Sequence, residues 1–97
     1  RAYKIAPENP EIGDTYGWML LRQENVALAT NVLEKAVANG STRMRPEALA
    51  SIKFHLAIAY RKSGEDANAA TIIRELLAQN VEFPEKDKAE VIARQLQ

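Results

Sequence analysis

The run Asp14–Thr15–Tyr16–Gly17–Trp18–Met19–Leu20–Leu21 is followed nine residues after Leu20 by Ala29, then by Leu33 and Ala36. Apolar residues three and four apart fall on one face of a helix. Gly13, Tyr16, Gly17 and Leu20 share such a face, and Val26, Ala29, Leu33, Ala36 and Val37 form a second stripe after the turn Gln23–Glu24–Asn25. Two helices joined by so short a turn make an antiparallel hairpin. The small residues among the large ones are where the two rods approach each other.

Outward from this hairpin, Arg1 to Ala6 reads as the last turn of a preceding helix that Pro7 ends. The chain begins at Arg1, inside what reads as a helix, so a piece of a longer parent is expected. Asn9 suits an N-cap, Pro10 the first helical position and Glu11 the positive end of the helix dipole. The first complete helix is expected over Ile12 to Arg22, and Asn39–Gly40 is expected to end the second, with glycine taking the left-handed conformation. Asn39–Gly40–Ser41 also fits the three-residue glycosylation sequon, a match that capping explains for its first two residues.

A basic connection from Ser41 to Arg45 leads to Pro46–Glu47, which opens a third helix running to about Ser63 with Leu49, Ile52, Leu56 and Tyr60 on its apolar side. Gly64 turns the chain, and Asp66 is placed to cap a fourth helix whose stripe is Ala69, Ile73, Leu76 and Leu77. Pro84–Glu85 starts a last helix with Ala89, Ile92, Ala93 and Leu96 at helical spacing. No stretch alternates with period two, so no strand is expected.

The hairpins repeat. Tyr16–Gly17–x–x–Leu20 and Ala29–x–x–x–Leu33 correspond to Leu56–Ala57–x–x–Tyr60 and Ala69–x–x–x–Ile73 at an offset of 40, while Ala2 and Ala36, at like places near their helix ends, are 34 apart. A 34-residue helix–turn–helix period marks the tetratricopeptide repeat, and these residues resemble that family: Gly17 and Ala57 at its close-contact place, then Leu20 and Tyr60, Ala29 and Ala69, Ala36, and Pro7. The sequence departs from the pattern at the usual tryptophan place, held by Gly13 and Lys53, and by six extra residues in the second unit. Of these, four are expected to lengthen the third helix by a turn and two the loop. The resemblance implies an all-α fold, a superhelical solenoid of helical hairpins with a C-terminal capping helix. In one domain over 1–97 it places the end of a preceding repeat at 1–7, repeats at 10–39 and 46–79, and the cap at 84–97.

Asp14–Thr15–Tyr16–Gly17–Trp18, with His55–Leu56–Ala57 and Phe83–Pro84–Glu85, is also similar to the C-terminal end of tetratricopeptide lipoproteins found with bacterial PEP-CTERM export and exopolysaccharide systems. That likeness implies a Gram-negative parent facing the periplasmic side of the envelope; without it, a cytoplasmic one.

Composition narrows the function. Thirteen basic residues balance thirteen acidic ones, so no net field draws the chain to nucleic acid or anionic lipid. There is no cysteine for disulfides, thiol catalysis or zinc. No run approaches the roughly 18 apolar residues that span a bilayer. His55, the single histidine, stands without a spaced ligand cluster, and Asp14, Thr15 and Asp66 lack a partnered base, so neither a metal, a cofactor nor catalysis is expected. Arg43, Arg45 and Lys53 gather near the longer loop, ordinarily as solvated residues and alternatively as an acidic contact site.

In the family, the first helix of each hairpin lines the concave side. The resemblance therefore places Glu11, Asp14, Thr15, Trp18, Leu21 and Arg22 on a groove from the first unit, and Ser51, Phe54, His55, Ile58, Arg61 and Lys62 from the second. Asp14, Trp18, Leu21, Arg22, Phe54, His55, Ile58, Arg61 and Lys62 are the candidate partner-binding residues. Trp18 either anchors a partner there or packs over the terminal helix or against a neighbouring repeat of the parent, and Phe54 and Ile58 are core residues if the longer helix is rotated. Some family members grip a terminal carboxylate with paired lysine, asparagine and arginine; Asp14, Trp18, Phe54 and Ile58 hold those places here, so that clamp is not carried over. A protein or peptide partner in the groove is the expected function. The alternative is a terminal cap of a longer solenoid that self-associates or assembles an envelope export system.

Overall fold

Asn9 is extended, and its Oδ1 accepts from the backbone N–H groups of Glu11 at 2.9 Å and Ile12 at 3.1 Å, so the first helix begins at Pro10. The structure, a computed structural model, describes residues 9–96. It is all-helical: α1 (Pro10–Arg22), α2 (Val26–Gly40), α3 (Pro46–Lys62), α4 (Asp66–Ala78) and α5 (Lys86–Gln95), with no strand among the described residues. The expected helix end before Pro7, and with it the Ala2 member of the 34-residue spacing, lies outside them.

Three boundaries differ from expectation. Gly40 is the last residue of α2 and is buried, without a positive φ. A Cβ there would stand 2.8 Å from Met44 Sδ and 3.1 Å from Leu49 Cδ1, so the glycine serves close packing, not a left-handed cap. Asp66 is the first residue of α4 and not its cap; Glu65 holds the cap position without a side-chain bond to the helix. Glu85 holds the cap position before α5, which starts at Lys86; its carboxylate makes no cap bond to the helix and accepts from Ser51 instead.

The hairpins are built on one turn used twice. Asn25 N–H donates to Leu20 C=O at 2.9 Å and Glu24 N–H to Leu21 C=O at 3.0 Å; forty residues later Glu65 N–H donates to Tyr60 C=O at 2.8 Å and Gly64 N–H to Arg61 C=O at 3.1 Å. Glu24 (φ 65°) and Gly64 (φ 86°) take the left-handed position between them. This is the Schellman arrangement, which satisfies the last carbonyls of a helix while reversing the chain.

Each helix packs on the next, and α1 also reaches α3. Two cores result. One joins Leu20, Leu21, Ala29, Val32, Leu33 and Ala36 to Ile52, Leu56 and Ala59 of α3. The other joins Ala50, Phe54 and Ala57 of α3 to Ala69, Ile73, Leu76, Phe83, Ala89 and Ile92. The four small residues of the repeat, Gly17, Ala29, Ala57 and Ala69, are all buried. α3, at 17 residues against 13 for α1, is the spine shared by both cores. The chain is a flattened array, with principal extents of 39 × 28 × 18 Å.

Candidate functional site

Because both flanks of α3 are committed to cores, its remaining stripe is Ser51, His55 and Ile58, spaced one turn apart and half-buried. α1 lies on one side of that stripe and α5 on the other. Two bonds fix α5 beside α3: Ser51 Oγ donates to Glu85 Oε1 at 2.9 Å, and Arg61 donates to Gln95 Oε1 at 3.0 Å. Each pair is 34 residues apart, so ten residues along α3 match ten along α5 and the two helices run parallel.

His55 joins all three helices. Its Nδ1 stands 2.6 Å from Asp14 Oδ1, and since a carboxylate only accepts, the imidazole donates from Nδ1. Its Nε2 stands 3.8 Å from Glu85 Oε2, longer than a hydrogen bond and within ion-pair reach when the ring carries both protons. The Trp18 ring lies over the imidazole, with centroids 4.4 Å apart and planes tilted by 30°. The His55 side chain is 14 % exposed. Ser51 donates to Glu85, and among the described residues no hydroxyl bonds to Nε2; Asp14 holds the imidazole by its Nδ1. No three His, Cys, Asp or Glu residues among those described are placed to share a metal ion.

Above this junction runs an open cleft of about 470 Å³ lined by Trp18 of α1, Phe54, His55 and Ile58 of α3, and Glu85, Lys88, Val91, Ile92 and Gln95 from the α5 side. Phe54 and Ile92 are buried in its floor, while Val91 is 43 % exposed on its wall. Trp18 and Ile58, forty residues apart, face it from equivalent places of the two hairpins.

Of the candidates expected from the sequence, Trp18, Phe54, His55 and Ile58 meet in this cleft, with Asp14 behind His55 and Arg61 at the Gln95 end. Leu21 does not: at 2 % exposure it is core, because its position on α1 turns toward α2 and α3. Arg22 and Lys62 are exposed one turn beyond Trp18 and Ile58, outside the lining. Packing of Trp18 over the terminal helix was one expectation, but none of the α5-side lining residues was among the candidates. Their signal was available, since Lys88, Val91, Ile92 and Gln95 recur at helical spacing and a 34-residue shift carries Ser51, Ile58 and Arg61 onto Glu85, Ile92 and Gln95. The chain matches no protein-family model, no curated protein and no solved structure.

Proposed function

We propose that this chain is a non-catalytic interaction module of the tetratricopeptide kind, in which the cleft across α1, α3 and α5 receives a segment of a partner protein. The observation that carries this reading is the cleft itself: three side-by-side helices present Trp18, Ile58 and Val91 beside a polar junction held by the Asp14–His55 and Ser51–Glu85 hydrogen bonds. Apolar side chains held in a fixed hollow and ringed by polar ones favour a side chain inserted from outside, and tryptophan is among the residues that most often anchor such contacts. Replacing Trp18 by Ala should weaken a partner captured by pull-down by ~2 kcal/mol or more. Retained affinity in a Trp18→Ala protein with a normal thermal melt would remove the cleft from the interface.

The second reading, a terminal cap that self-associates, rests on a different surface. Met19 and Leu28 are 44 % and 40 % exposed on α1 and α2. Sedimentation over a range of concentrations separates the two: a monomer throughout counts against self-association, whereas a dimer broken by Met19→Glu supports it.

A further inference from the structure

We infer that His55 is a proton-operated latch: when its ring carries both protons it holds the start of α5 more tightly against α1 and α3, and so fixes the far wall of the cleft. The inference comes from what stands at the two ring nitrogens. Nδ1 donates to Asp14 of α1 at 2.6 Å, a bond that the neutral and the charged ring make alike. Nε2 is different. In the neutral ring it is an acceptor, and the group facing it at 3.8 Å is a second acceptor, Oε2 of Glu85. Ser51 donates to the other oxygen of that carboxylate, and among the described residues no donor bonds to Nε2 or to Oε2. Two lone pairs thus face each other with no hydrogen between them.

A second proton on the ring supplies that hydrogen. Nε2 becomes a charged donor, and because such bonds to a carboxylate settle at about 2.8 Å, the Pro84–Glu85 turn is drawn roughly 1 Å toward α3. The groups around the ring leave Glu85 as the one whose hydrogen bonding changes. Asp14 is engaged in both states, Trp18 lies over the ring from α1, and Lys88, the cation of α5 that lines the cleft and opposes a charged imidazole, stands about one turn beyond Glu85. The His55 side chain is 14 % exposed beside the open cleft, so the proton comes from solvent. Histidine ordinarily changes charge between about pH 5 and 8, above the range in which carboxylates do. The latch acts on the chain's own helices, with or without an occupant in the cleft.

The test follows one ring, since His55 is the single histidine. NMR of its ring protons in the whole chain locates the pH at which it gains the second proton. Amide exchange is then measured on either side of that pH and corrected for the pH dependence of the exchange reaction itself. Protection of α5 relative to α2 should rise about threefold or more as the ring becomes charged, the scale of a partly exposed ion pair. Glu85→Gln keeps an oxygen to accept from Ser51 and removes the charge, so the α5 response should disappear or change sign while His55 still titrates. His55→Gln should abolish it. Protection of α5 that does not follow the charge of His55, or a response that persists with the same sign in either variant, overturns the latch.

Discussion

The Ser51 hydroxyl donates to Glu85 across 2.9 Å, and through this bond the shared helix α3 holds the start of α5. Glu85 lies before α5, and the same carboxylate faces His55, which is held in turn by Asp14 of α1. One acidic residue outside any helix thus fixes where the far wall of the cleft stands relative to Trp18.

Replacing Glu85 by Ala should cost about 1 kcal/mol, the ordinary net worth of a hydrogen bond of this kind. The more telling readout is local. Amide hydrogen exchange should rise in α5 and stay unchanged in α1 and α2, since elements held by few contacts open first. Uniform acceleration along the chain would mean that Glu85 acts on global stability and not as a latch for α5.

The paired turns make a prediction of opposite signs. Glu24 holds a left-handed conformation that costs a side-chain-bearing residue about 1 kcal/mol, whereas Gly64 adopts it without that cost. Glu24→Gly should therefore stabilise the chain and Gly64→Ala destabilise it by similar amounts, read from urea unfolding midpoints. A Cβ on Gly64 would meet nothing within 4 Å, so a loss there reports the backbone alone. No change in either variant would show that the turns are not strained as described.

Gly17 is the contact on which the first hairpin closes. A Cβ at this position would lie 2.6 Å from Leu33 Cγ and 2.8 Å from Leu33 Cδ2, and Leu33 is fully buried. Gly17→Ala gains about 1 kcal/mol of helix propensity but overpacks a site where such insertions cost about 1–3 kcal/mol. A net loss is expected, recovered in part by adding Leu33→Val. If the single substitution stabilises the protein, the helices are not as close as Leu33 and Gly17 indicate.

The hairpins were legible because spacing encodes them: Gly17, Ala29 and Leu33 recur as Ala57, Ala69 and Ile73 after forty residues, and all six are buried. What periodicity could not resolve was direction on a helix buried from two sides. Leu21 is apolar and follows Leu20, so either residue satisfies an apolar stripe; only the placement of α3 sends both into the core. The α5-side lining residues were missed for the reverse reason. Lys88 and Gln95 are polar, and nothing in a helix considered alone marks one polar face as the lining of a cleft that α3 and α1 complete.

Tyr60 supplies a prediction in pH. Its hydroxyl donates to Glu34 Oε2 at 2.6 Å, tying α3 to α2. Partial burial, then that bond and the charge of Glu34, with a further contribution from Glu65, push its phenol from 10.0 up to about 12. In the unfolded chain the group ionises near its ordinary value, so above about pH 10 the unfolded state loses the proton while the folded state keeps it. The stabilisation is thus complete below about pH 10 and is lost as pH rises through about 12. Urea unfolding at a series of alkaline pH values should show a steeper decline in the native protein than in Tyr60→Phe, and the Tyr60 phenolate absorbance should emerge earlier in Glu34→Gln. Identical alkaline slopes for the native protein and Tyr60→Phe would mean that the Tyr60–Glu34 bond does not hold the proton in the folded state.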